Sequence, residues 1–116
     1  MRGYVEALNR GDVDAVVAAV GADFESEHTS AIGESFRGRD EYRRRLPAFF
    51  ALLPERHYEI EDVLVDGGRA AVPYTLRALS AIVVRGVFLF TCRDGVIVRR
   101  VDYWDSAEFL RQRDAT

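Results

Sequence analysis

"FLFTCRDGVIVRRVDYWD" (residues 88–105) is the stretch whose reading decides the fold. Two runs rich in β-branched and aromatic residues flank Arg93-Asp94-Gly95, a turn by composition, so the stretch reads as a hairpin of an antiparallel sheet. Alternation along the second run puts Arg100, Asp102 and Trp104 on one side, with Val101 and Tyr103 on the other. Both faces carry apolar residues, as when one lines a cavity and the other meets a helix or a second subunit. Asp102 is the anomaly, because an acid favours neither a strand nor burial without a partner. It has two readings. One is a carboxylate in a low-dielectric cavity, its pKa raised, poised to give or take a proton. The other is a salt bridge to Arg100, Arg99 or an arginine on a neighbouring strand.

Upstream, "AIVVRGVFLFTC" (81–92) forms the first strand of that hairpin, and Leu79-Ser80 leaves room only for a tight reversal before it. "HYEIEDVLV" (57–65) and "RAAVPYTLRAL" (69–79) flank Asp66-Gly67-Gly68, a second hairpin in which Pro73 implies an edge position or a bulge. The second half is thus four long strands.

The first half is helical. "MRGYVEALN" (1–9) carries Tyr4, Val5 and Leu8 at helical spacing and stops at Asn9-Arg10-Gly11. Asp12 caps a second helix with Val13, Val16, Val17 and Val20 on one stripe. "GRDEYRRRLPAFFALLP" (38–54) gives a third, its apolar stripe Tyr42, Leu46, Phe49, Phe50 and Leu53, with Arg43 to Arg45 on the wet side and Pro47 expected to kink or split it. Between helices, "DFESEHTS" (23–30) alternates and puts Ser26 and His28 on the side of Phe24. A short last helix, "SAEFLRQ" (106–112), opens on Asp105 with Glu108 three residues on. The predicted class is α+β: a cone-shaped α+β barrel with a strongly curved antiparallel or mixed sheet around three N-terminal helices, plus a short C-terminal helix. Such a cone is a natural small-molecule pocket.

Composition bounds the function. The 116 residues suit a single domain spanning 1–116, and 48% hydrophobic with 30% charged residues is ordinary for a globular chain. The net charge of -3 argues against nucleic acid as a partner. No apolar run approaches the ~20 residues of a membrane span, so no membrane partner is expected. The lone Cys92 excludes a disulfide framework and, with no signal-peptide pattern, suggests a reducing, cytoplasmic setting. His28 and His57 lack the ligand spacing that zinc prefers, so no metal is expected.

"YVEALNRGDVDAVVAAVGADF" (4–24), "FRGRDEY" (36–42) and "FLFTCRDGVIVRRVDYWD" with its trailing helix resemble the nuclear transport factor two-like superfamily, most of all its SnoaL-like polyketide cyclases, with ketosteroid isomerase and limonene epoxide hydrolase alongside. The resemblance covers nearly the whole chain and implies the cone fold, while the superfamily hosts isomerases, cyclases, hydrolases and plain binding or dimerisation modules. It puts Tyr4 where ketosteroid isomerase has its oxyanion-hole tyrosine, His28 where it has its general-base aspartate, and Gly86 where it has its protonated aspartic acid. It puts Asp102 where SnoaL-like cyclases and the epoxide hydrolase keep a catalytic aspartate. The hydrolase's accompanying Arg and second Asp have no match, since neither Arg77 nor Arg85 has an Asp two residues away.

The expectation is a cofactor-free enzyme performing acid–base chemistry, an isomerisation or cyclisation, on a hydrophobic small molecule. Asp102 is the main acid/base, His28 a second base or partner, and Tyr4 a donor to developing oxyanion charge. Trp104, Tyr74, Phe24, Phe50 and Arg100 are the candidate substrate-binding residues. The alternatives are a ligand-binding or dimerisation module of the same fold and, behind it, an epoxide hydrolase. A homodimer through the outer sheet face is expected from the apolar residues on both faces of the long strands.

Overall fold

The computed structural model describes residues 1–30 and 32–115. Its elements are α1 (Arg2–Arg10), α2 (Val13–Ala18), β1 (Val20–His28), β2 (Phe36–Arg37), α3 (Arg39–Leu52), β3 (His57–Ile60), β4 (Leu64–Asp66), β5 (Arg69–Ala78), β6 (Ile82–Arg93), β7 (Val96–Trp104) and α4 (Ser106–Ala115). The α+β expectation holds, with four helices and a seven-stranded sheet ordered β2-β1-β7-β6-β5-β3 and β4 also pairing with β5. The sheet is mixed, because β1 runs parallel to β7 while every other pair is antiparallel. It is an open sheet ending at β2 and β3, not a closed barrel.

Local chemistry sets most boundaries. Gly11, at φ 69°, ends α1, and the amides of Gly11 and Asp12 return to the carbonyls of Leu8 and Ala7. Asp12 caps α2 through its carboxylate, 3.0 Å from the Ala15 amide. The helix is shorter than its valine stripe suggests, since Val20 already begins β1 and pairs with Ile97. Tertiary pairing there overrides the helical spacing. Pro47 does not split α3, which runs unbroken from Arg39 to Leu52. Asp94 and Gly95, both at positive φ, close the β6–β7 hairpin as a two-residue turn.

The long strand expected over 57–65 is interrupted, and Pro73 explains the break. Residues of β5 pair with β3 up to Tyr74 and with β4 from Ala71 onward, so Pro73 sits opposite the gap. Its carbonyl still accepts from the Glu61 amide at 2.9 Å, but it has no N–H to return. Pro73 therefore lies inside the sheet, and the irregularity falls on its partner. Beyond the end of β7, the free edge of β6 is covered by α4, where Gln112 bonds both the amide and the carbonyl of Val83.

The helices pack on the face of the sheet that carries Phe24, Tyr74, Phe88, Phe90, Arg100 and Asp102, and the core lies between. Gly86, opposite Trp104 on β7 and Tyr74 on β5, is a close approach that the sheet demands. A Cβ there would collide with the Tyr74 hydroxyl and lie 2.6 Å from the Tyr103 carbonyl oxygen. The backbone oxygen cannot step aside cheaply. Gly86→Ala is expected to destabilise the fold by about 1–3 kcal/mol, read as a lower urea midpoint with an unchanged slope.

Candidate functional site

Asp102 sits toward the C-terminal end of β7, between His28 of β1 and Phe88 of β6. It faces inward as the alternation predicts, and is 5% exposed. Its Oδ1 accepts a hydrogen bond from the Tyr74 hydroxyl at 2.6 Å. Its Oδ2 stands 3.8 Å from His28 Nδ1, too far for a hydrogen bond. Among the described residues no arginine nitrogen comes within 4.0 Å of this carboxylate, so the direct salt bridge to Arg100 is absent. Burial raises the Asp102 pKa to about 6, against the opposing pull of Arg100 and the Tyr74 hydrogen bond.

Arg100 is the buried arginine of the chain, 6% exposed. Its Nη1 donates to the hydroxyls of Tyr4 and, at 3.1 Å, Tyr42. Its Nη2 donates to Ser26 Oγ at 2.6 Å and approaches His28 Nε2 at 3.5 Å. The guanidinium also lies near the rings of Tyr42 and Phe88, 5.6 Å from each centroid. Burial works against its proton, but the Tyr4 and Tyr42 oxygens and the Asp102 carboxylate outweigh it and hold its pKa above the ordinary arginine value.

His28 is half-buried. Burial first, then the charges of Arg100 and Arg45, lower its pKa to about 4, so the imidazole is neutral at pH 7. The Arg100 N–H facing Nε2 favours the tautomer with its proton on Nδ1, directed toward Asp102. Ser26 bonds Arg100 rather than His28, so Ser26, His28 and Asp102 form no nucleophilic triad.

These groups floor a cavity of about 370 Å³. Its walls come mainly from α3 and the segment before it (Ile32 to Glu34 and Phe36), with Trp104 and Phe109 adding to them; Leu52 and Glu34 are the exposed part of the lining. Of the residues singled out from sequence, Asp102, His28, Arg100 and Trp104 line it. Tyr74 is one step behind, holding Asp102. Phe24 is buried under the floor, stacked on Tyr42 at 5.1 Å. Phe50 turns elsewhere, its ring beneath Arg56 at 3.9 Å.

Tyr4 does not line the cavity; its hydroxyl is 2.5 Å from that of Tyr42. Burial pushes its pKa well up, against the pull of Arg100, so it stays a neutral hydroxyl. Two hydroxyl hydrogens serve one bond between the tyrosines, and both oxygens accept from Arg100. One hydrogen is left over. Either hydroxyl can donate in that bond; Tyr42 lines the cavity, so when Tyr4 is the donor the spare hydrogen is where a ligand can take it. Tyr42 is the site residue that sequence reading assigned only to a helical stripe; its place in "FRGRDEY" was the available signal. Arg45, assigned to the wet side, is half-buried at the cavity wall and pairs with Glu41 and Glu34. Among the described residues no cluster of His, Cys, Asp and Glu could hold a metal.

Residues 1–100 match the SnoaL-like domain, and the chain belongs to that family. No curated protein matches it. Among solved structures it is similar to a candidate ketosteroid isomerase from Kribbella flavida, at 27% identity and TM-score 0.75 over 90% of this chain and 73% of that one. It is similar to TerC crystallised with polyporic acid, at 18% identity and TM-score 0.86 over 97% and 94% of the two chains. A candidate polyketide cyclase from Sinorhizobium meliloti has 24% identity and TM-score 0.75 over 85% and 88%. The last two share the fold.

The two shifted groups make opposite contributions to stability. Between pH about 4 and about 6, folded Asp102 holds a proton that the unfolded chain has released, so its stabilising contribution is lost as pH rises through that window. Between about 6.5 and about 4, folded His28 refuses a proton that the unfolded chain binds, so its contribution is lost as pH falls. In the native protein the two nearly cancel. Relative to it, Asp102→Asn should gain stability as pH rises from 4 to 6, and His28→Gln should lose it, each by about 2–3 kcal/mol. Urea unfolding at stepped pH measures both slopes; parallel curves for all three proteins would contradict the assignment.

Proposed function

We propose that the cavity is an active site for proton transfer next to a carbonyl on a hydrophobic small molecule, an isomerisation or cyclisation needing no cofactor. One observation carries this reading: a buried carboxylate free of any arginine within 4.0 Å among the described residues, with a pKa near 6, on the floor of an apolar cavity. Asp102 as carboxylate takes the proton from carbon and returns it at another position. Tyr74 holds its Oδ1 and leaves Oδ2 for the substrate. His28, neutral, is the second proton carrier beside Oδ2. Tyr42, backed by Tyr4, donates to the enolate oxygen as charge develops. Trp104 supplies a flat wall. The structures resembling a ketosteroid isomerase and a polyketide cyclase support this reaction class.

Solvent-deuterium exchange beside the carbonyl of β-tetralone, followed by NMR, tests the reading. The rate should rise with pH through about 6 as Asp102 ionises, then level. Asp102→Asn should cut it by ~10²-fold or more. A near-native rate in that variant would remove Asp102 from the mechanism.

A second reading, a ligand-binding module without turnover, is favoured by Tyr4 being tied to Tyr42 and Arg100 behind the floor. Saturable binding of hydrophobic ketones with no exchange above background would select it.

A cytoplasmic homodimer completes the proposal, with Leu64, Val83 and Tyr103 exposed on the outer sheet face. Sedimentation at micromolar concentration should give twice the chain mass; a monomer would refute the dimer.

A further inference from the structure

Arg100 is unusual among the arginines of this chain. The rest reach solvent, and many pair with carboxylates there. Arg100 is buried, and among the described residues no carboxylate oxygen lies within 4.0 Å of it. A buried cation held only by neutral groups remains poorly compensated, because hydroxyls supply partial charges where water or a carboxylate supplied more. Its four Nη hydrogens are directed at Tyr4, Tyr42, Ser26 and His28, while Nε is buried with no hydrogen-bond partner. The same cavity floor holds a second buried nitrogen without a partner, His28 Nδ1. Asp102 Oδ2 is the acceptor the floor itself offers, and it stands beyond 4.0 Å of every Arg100 nitrogen. Burial first, and then the charges of Arg100 and Arg45, keep His28 from protonating.

We propose that Arg100 is the anion-recognition residue of the cavity and that the ligand is a hydrophobic carboxylic acid, its carboxylate seated against the guanidinium and its apolar body between α3 and Trp104. The charge match is short-range and dry, so the acid is selected over an uncharged ligand of the same shape. The walls select for an apolar body, while the buried charge selects the head group. This proposal rests on the cavity being the ligand site and names the ligand class it takes.

Calorimetric titration of the native protein with naphthoate and with naphthamide, the same ring bearing a neutral head, tests it without any substitution. Naphthoate should bind at least tenfold more tightly at pH 7.5. Arg100→Gln, checked for folding by circular dichroism, should bring the ratio of acid to amide affinity down to about one. Asp102→Asn, which removes a nearby negative charge, should bind naphthoate as well as the native protein or better. Equal affinities for acid and amide in the native protein overturn the proposal, as does failure of both to bind at millimolar concentration. A folded Arg100→Gln that keeps the preference also overturns it. The titration reads binding alone, so loss of the acid–base role in the exchange assay and loss of the anion subsite are separate results.

Discussion

The burial of one guanidinium organises this molecule. Arg100 projects from the middle of β7, and its four Nη hydrogens engage α1 through Tyr4, α3 through Tyr42, and β1 through Ser26 and His28. A cation with no carboxylate within 4.0 Å among the described residues tolerates few misplaced acceptors, since each lost hydrogen bond leaves charge unscreened in a low-dielectric interior. The requirement therefore fixes how the two helices sit on the sheet. It also fixes which side chains remain to meet a ligand. Tyr4 is held behind the floor, whereas Tyr42 faces the cavity.

Asp102 is positioned by a different device, the absence of a side chain. Gly86 leaves a hollow on β6, and the Tyr74 ring from β5 fills it, so that its hydroxyl reaches one carboxylate oxygen. The family resemblance puts an acid at Gly86 in ketosteroid isomerase. In this chain that space belongs to a tyrosine that supports Asp102 from behind. Asp102 and Arg100 then share a face at a two-residue spacing, near enough for each charge to bias the other yet not joined. The carboxylate stays close to neutral solution in its proton affinity, and the guanidinium keeps an unpartnered Nε.

Much of the fold was legible because local rules and tertiary demands agreed. Asp12 caps α2, Asp94-Gly95 turns the last hairpin, Asp105 caps α4, and the alternation of β1 and β7 gave the inward faces of Ser26, His28, Arg100 and Asp102. The errors arose where a partner element decided. Val20 satisfied a helical stripe but was claimed by pairing with Ile97. The strand over 57–65 broke opposite Pro73, a constraint carried by a different segment of the chain. β2 is only two residues, Phe36 and Arg37, which carry no periodic signal of their own.

The candidate site divides the same way. The sequence by itself determined that Asp102 shares an inward face with Arg100 and Trp104, because a strand's period of two is a property of the backbone. It also determined that His28 faces the interior beside Ser26. Only the tertiary structure decided who touches whom: Tyr74 on Asp102, Tyr42 rather than Tyr4 at the cavity, Phe24 beneath it and Phe50 away from it. Those contacts join residues between 18 and 96 positions apart in the chain, such as Phe24 with Tyr42 and Tyr4 with Arg100. No periodicity spans such separations, and only the packing of helices on the sheet brings them within bonding distance.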